Sequence, residues 1–117
     1  MNRPPEDLLP LTHVVYHVLL SLSLAPRHGY GIIKDVVERT AGRLELEAGT
    51  LYAALKRMRD DGLVEEIEAP EPADARRRYY GLTRLGRLVL RAESERLAEM
   101  VELAKKAHVL PARSGRA

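Results

Sequence analysis

Residues 49–64 read GTLYAALKRMRDDGLV and residues 76–86 read RRRYYGLTRLG, and the order of elements these two stretches encode decides the fold. In the first, Leu51, Leu55, Met58 and Gly62 recur at three- and four-residue steps, so a helix places them on one side. Gly49, Ala53, Lys56 and Asp60 then fall on the opposite side. The helix stops at Asp61-Gly62, where glycine supplies the left-handed conformation of a C-terminal cap. A strand begins immediately over residues 63–68, with Leu63 and Ile67 on one face. Pro70, Pro72 and Asp74 disfavour regular structure over residues 69–75, and residues 76–82 resume extended character with Tyr79 and Tyr80. Thr83 offers a hydroxyl N-cap for a long final helix.

Helix, strand, loose loop, strand and helix in that order predict a mainly α fold with a small β-hairpin, a winged helix-turn-helix followed by a long C-terminal helix. The outward side of the helix carries small residues at Gly49 and Ala53 that let a backbone approach a groove floor. Thr50, Lys56 and Arg57 flank them as hydrogen-bond and charge donors. Taken alone, a cationic amphipathic helix is equally a solvated face of an ordinary globular domain.

Upstream, residues 12–24 form a first helix with Val14, Val15, Val18, Leu19 and Leu22 on its apolar side and His13, His17 and Ser21 along a polar line; Pro26 ends it. His13 and His17 have the i, i+4 spacing of a two-histidine metal site, but no carboxylate or cysteine nearby supplies a third ligand, so no metal is expected. A second helix over residues 30–41 buries Ile32, Ile33, Val36 and Val37. Its amino end, freed by Gly29, is placed to turn backbone N–H groups toward a phosphate, with Tyr30 either adding its hydroxyl there or packing half-buried.

The last helix, residues 83–108, is too long for a core this small to cover. Its apolar line runs through Leu85, Leu88, Val89, Ala92, Leu97, Met100, Val101 and Ala104. A second copy of the chain is the economical cover for the distal half, so an isologous dimer is expected through Val15, Leu19, Leu97, Met100, Val101 and Ala104; an intramolecular brace is the competing reading. The organisation expected is a flexible arm over 1–10, a winged helix over 11–83 whose first helix also serves the dimer, a dimerisation helix over 84–110, and a disordered basic tail over 111–117.

Composition sets the outer limits. A chain of 117 residues suffices for one domain with a modest core, and with 45% hydrophobic but only 4% aromatic residues that core must be built from aliphatic side chains. The formal net charge of +2 is mild, so affinity for nucleic acid must come from where the charges sit rather than from their sum. The chain has no cysteine, which excludes disulfides and thiolate chemistry, and no signal-peptide or membrane-spanning run; a soluble cytoplasmic protein is expected. Neither paired catalytic carboxylates, nor a Ser/His/Asp order, nor a glycine-rich phosphate loop is present, so no enzyme and no cofactor is expected.

Five short motifs in register resemble the PadR family of bacterial transcriptional regulators. They are His28-Gly29-Tyr30-Gly31-Ile32, Gly49-Thr50-Leu51-Tyr52, Leu55-Lys56-Arg57-Met58, Gly62-Leu63-Val64 and Arg78-Tyr79-Tyr80-Gly81-Leu82-Thr83, and the resemblance spans residues 11–110. It implies a homodimeric repressor that binds double-stranded DNA on a pseudo-palindromic operator, the third helix in the major groove and the wing beside the backbone. With two such helices presented to successive major grooves, Thr50, Tyr52, Lys56 and Arg57 are the expected groove contacts, Tyr30, Arg77 and Arg78 the expected phosphate contacts, and Lys34 a secondary candidate for the same role.

The chain departs from the family pattern in three places. Glu47 stands where a serine often precedes the third helix; a carboxylate suits the helix dipole but caps less well. Ala53 replaces a frequent proline, and Glu65, Glu66, Glu68, Glu71 and Asp74 put negative charge on the wing. Those acids support a different reading, a winged-helix module that binds another protein and no DNA. Relatives of this fold bind aromatic or drug-like effectors between subunits, but this chain has no Trp or Phe for an aromatic clamp, and the sequence names no effector.

Overall fold

Aliphatic side chains spaced for helices build most of the molecule, and a computed structural model describes residues 4–111. Helix α1 (His13–Leu24) is capped by Thr12, whose Oγ1 accepts the Val15 N–H at 3.1 Å. A two-residue strand, β1 (Arg27–His28), leads directly into α2 (Gly29–Arg39); α3 (Ala48–Asp60), β2 (Val64–Ile67), β3 (Tyr79–Leu82) and α4 (Arg84–Lys106) follow. Val18, Leu19, Leu22, Ile32, Val36, Leu51, Leu55, Met58 and Val89 interlock in the centre, so three helices and the start of α4 share one core.

The end of α3 is the element that the sequence fixes most sharply. Gly62 has φ +79°, the Leu63 N–H reaches the Met58 carbonyl at 2.8 Å, and the Gly62 N–H reaches that of Arg59 at 3.0 Å. This is a Schellman closure, and it turns the chain straight into β2. At the far side of the hairpin, Thr83 Oγ1 accepts the Gly86 N–H at 3.0 Å and donates to the Gly62 carbonyl at 2.6 Å, so one hydroxyl caps α4 and ties it to the turn after α3. Glu47, in contrast, makes no side-chain cap to α3, as its side-chain type predicts.

The sheet has three antiparallel strands in the order β1-β3-β2, one more than the expected hairpin. β1 is too short to show alternation, and only its register against β3, Arg27 opposite Tyr80 and His28 opposite Tyr79, makes it a strand. The expected polar line on α1 is also corrected. Ser21 is buried and His17 half-buried, because α2, α3, β3 and α4 surround α1 on more than one side.

The expected free arm at the N-terminus is docked over its described part. Pro5–Leu8 form a 3-10 turn, Leu8, Leu9 and Leu11 pack on the core, and the Leu11 N–H donates to Glu93 Oε2 at 2.9 Å. Glu93 is only 2% exposed, and Arg96 grips its other oxygen at 2.6 Å. Tyr16 and Ser94 add a hydroxyl-to-hydroxyl bond of 2.9 Å nearby. Three leucines and a charge-assisted hydrogen bond thus hold a segment whose prolines suggested freedom. All but the first residue of the expected basic tail lies outside the described residues.

Candidate nucleic-acid interface

Helix α3 turns Leu51, Ala54, Leu55 and Met58 inward, which leaves Gly49, Ala53, Lys56 and Asp60 exposed on the opposite side. No atom lies within 4 Å of where a Gly49 Cβ would stand, so the first turn of α3 presents bare backbone. Lys56 Nζ sits 3.4 Å from Asp60 across one helical turn, an exposed pair of the kind that contributes little to stability. One flank of this face carries Thr50 and Arg57; Tyr52 and Arg59 occupy the other.

The Tyr52 flank opens into a cleft of about 470 Å³ lined by His28, Gly29, Tyr30, Tyr52, Arg76, Arg77 and Arg78. Three remote parts of the chain meet there: the β1-to-α2 junction, the first turns of α3 and the strand entry before β3. Tyr52 is seated on Gly29. A Cβ at that glycine would overlap the Tyr52 hydroxyl and lie 2.7 Å from Cζ, so the absence of a side chain at residue 29 sets how closely α3 leans on α2. Tyr30 is 65% and Tyr52 47% exposed, and both line the cleft.

Four of the eight residues expected to contact nucleic acid, Tyr30, Tyr52, Arg77 and Arg78, are therefore brought together. Lys34 lies exposed one turn beyond Tyr30 and does not line the cleft. Lys56 stays on the exposed face of α3, with Thr50 at its edge. Arg57 departs furthest from expectation, since it lines a separate hollow with Leu8, Pro10, Leu11, Val15, Met58 and Asp61, under the N-terminal segment. Helix spacing already sets Arg57 on the flank away from Tyr52; what it could not signal is that residues 8–11 lie against that flank.

Sequence reasoning missed His28, Arg59, Glu66 and Arg76. The His28 side chain caps α2, with Nδ1 accepting the Gly31 N–H at 3.0 Å, so this amide is engaged rather than offered to a phosphate as the sequence suggested. Arg77 Nη1 lies against the other ring nitrogen, Nε2. Burial and then the Arg77 charge push the His28 pKa down, Asp74 opposing, which favours the neutral ring. The signal for His28 was the two-residue strand itself, legible only once β1 is paired.

The acidic wing looks different in three dimensions. Glu66 accepts from Arg59 Nη1 at 2.8 Å and stands 3.7 Å from Arg78 Nη1, so the β2 acid closest to the cleft is shared between two guanidiniums. Asp74 accepts the Tyr79 hydroxyl at 2.9 Å, which raises the pKa of that phenol. Glu66 thus holds Arg59 and Arg78 beside the cleft, and Asp74 holds Tyr79 behind it.

Residues expected at a subunit contact divide in the same way. Leu19, at 0% exposure, is packed inside the core and is corrected on that account, since no second copy touches it there; Val15 is nearly buried, at the hollow that Arg57 lines. On α4, however, Gly86, Val89, Leu90 and Glu93 are buried, and Leu97, Met100, Val101 and Ala104 continue the same side of the helix past the end of the core. Met100 is 52% exposed and Leu103, beside it, more so. His13 and His17 stack edge to face at 4.6 Å, and among the described residues no group of three or more His, Cys, Asp or Glu is placed to hold a metal. Among those residues no helix is long and apolar enough to cross a membrane.

Comparison with known proteins agrees with this geometry. The model of the transcriptional regulator PadR-like family matches residues 18–92. A PadR family transcription regulator from hypervirulent Clostridium difficile has a solved structure 28% identical, covering 81% of this chain and 97% of its own, with a TM-score of 0.71. Bacillus subtilis PadR, solved in complex with operator DNA, is 22% identical over 71% of this chain and 47% of its own, with a TM-score of 0.61, a likeness of fold. An uncharacterized protein from Lysinibacillus sphaericus is 29% identical over 77 residues, 66% of this chain and 71% of that one.

Proposed function

Because this chain belongs to the transcriptional regulator PadR-like family, a family of regulators and not of enzymes, we propose that it is a homodimeric repressor that binds a pseudo-palindromic operator. The observation that carries the reading is the continuity of the exposed face of α3 with the Tyr30, Tyr52, Arg77 and Arg78 cleft: a surface bare enough for close approach beside a cluster of phosphate donors. In this reading α3 enters the major groove with Thr50, Tyr52 and Lys56 toward the base edges. Tyr30 and the arginines before β3 hold the flanking backbone, Lys34 lies along the same path, and Arg57 contributes from the far edge of α3.

The uncovered stripe Leu97, Met100, Val101 and Ala104 supports pairing of two copies along α4, a helix of 23 residues that extends about 34 Å. A two-fold axis there would present two α3 helices to successive major grooves, one helical turn of about 34 Å apart, and occupancy of a promoter would block transcription. Sharing of Glu66 between Arg59 and Arg78 takes one of the five wing acids out of the case for a protein-docking surface.

The test is to retain genomic fragments on the purified protein, sequence them, and titrate the commonest one with salt. The reading expects an inverted repeat and an affinity that falls steeply as salt rises. Retention of no fragment above background at low salt would overturn it in favour of a protein-binding module.

A further inference from the structure

The His28 ring is held on three sides. Its Nδ1 caps α2 at Gly31, its face lies nearly parallel to Tyr30 with centroids 6.4 Å apart, and the Tyr79 ring meets it edge-on at 5.2 Å. The cap needs the Nδ1 lone pair, because an amide N–H can only donate. A neutral imidazole carries one N–H and one acceptor nitrogen, so the proton must sit on Nε2. Nε2 faces Arg77 Nη1, itself a donor with no acceptor capacity. The other tautomer moves the conflict to Nδ1, where it sets N–H against the Gly31 N–H. Two donors, one from β1 and one from the β3 entry, therefore meet at the mouth of the cleft beside Tyr30 and Tyr52, and neither can accept from the other.

Resting on the DNA-binding reading above, we propose that His28 Nε2–H and the Arg77 guanidinium together bind one non-bridging oxygen of a backbone phosphodiester, making His28 a direct DNA contact. An anionic oxygen accepts from both groups at once and satisfies each, while the Nδ1 cap remains intact. The contact is uncharged on the histidine side. It adds affinity and fixes the position of the backbone against α2, and it releases no counterion of its own, unlike Arg77. The tautomer is locked by folding, so the donor is in place before DNA arrives.

His28→Asn isolates the claim. Its Oδ1 takes the place of Nδ1, and asparagine is a good N-cap, so α2 and the melting temperature are retained while the Nε2 donor is lost. The expected result is operator binding weakened roughly tenfold or more, as for one charge-assisted hydrogen bond, with an unchanged salt slope. Arg77→Gln should weaken binding and also lower the slope by about one. In the DNA-free protein, long-range proton–nitrogen NMR should find the His28 proton on Nε2. Wild-type affinity in His28→Asn, or a proton found on Nδ1, overturns the proposal while DNA binding stands. A wild-type protein that binds no duplex overturns the repressor reading, and the contact with it, whatever the tautomer.

Discussion

Replacing Gly86 by alanine tests the joint between the winged helix and α4. A Cβ at residue 86 would fall on the Leu63 carbonyl oxygen, 3.1 Å from its carbon and 3.4 Å from Cα, and all three atoms are backbone with no rotamer to escape into. Leu63 is itself pinned, since its N–H closes α3 on Met58 and its carbonyl accepts the Thr83 N–H at 3.1 Å. Relief requires α4 to slide, which overpacks the joint at about 1–3 kcal/mol and weakens the Thr83 bond at about 1 kcal/mol. Helix propensity offsets up to about 1 kcal/mol of this. The net is a loss of about 1–3 kcal/mol, or a drop of roughly 5–10 °C in Tm. Gly49→Ala is the matched control: the same change in a helix, into open space, should raise stability by up to about 1 kcal/mol. Thermal and urea unfolding followed by circular dichroism, at one fixed protein concentration, measure both. A Gly86→Ala protein as stable as wild type would refute the reasoning, because helix propensity alone predicts the same sign at both glycines.

Other perturbations read other parts of the structure. Hydrogen bonding from Arg96 holds the Glu93 pKa below its ordinary value of 4.5 despite burial, with the Leu11 N–H assisting; this contribution is full above the unfolded-state pKa and is lost as pH falls through the lower folded value. Glu93→Gln should therefore cost about 1–3 kcal/mol at neutral pH, judged by urea unfolding, and should make the decline of stability below about pH 4 shallower than in wild type. Ala41 closes α2 at φ 54°, a conformation that costs an L-residue about 1–2 kcal/mol, so Ala41→Gly should stabilise by a net of about 0.5–1 kcal/mol in the same assay. Lys56→Ala should weaken operator binding and lower the salt slope by about one if its contact is a phosphate; unchanged affinity and slope remove Lys56 from the interface. Met100→Glu on the uncovered stripe should shift sedimentation from dimer to monomer while leaving the far-ultraviolet spectrum of the fold in place.

The site was legible where its residues follow a local rule. The inward and outward sides of α3, the Gly62 stop and the Thr83 cap all obey helix geometry over a few residues, so spacing and side-chain chemistry located them. Arg77, Arg78, Tyr30 and Tyr52 were expected as contacts from side-chain type and position, Tyr52 with the help of the family resemblance, and the structure draws them into one cleft. Glu66 read as a repulsive acid because its partners, Arg59 and Arg78, lie 7 and 12 residues away on other elements. Leu19 read as available for a second copy because helical periodicity distinguishes an apolar side from a polar one and cannot say which neighbour covers it.

By itself the sequence determined the four helices and the hairpin strands, the Gly62 stop, the Thr83 cap and the exposed face of α3, because each depends on contacts within one or two turns of chain. Tertiary structure alone decided that residues 27–28 pair as a strand and so carry His28 to Arg77, that Glu93 anchors the N-terminal segment, and that this segment forms a hollow with Arg57. It also decided that two glycines of similar local context have opposite tolerance for a methyl group. These outcomes rest on distances between segments up to 82 residues apart, and no periodicity along the chain records a distance across it.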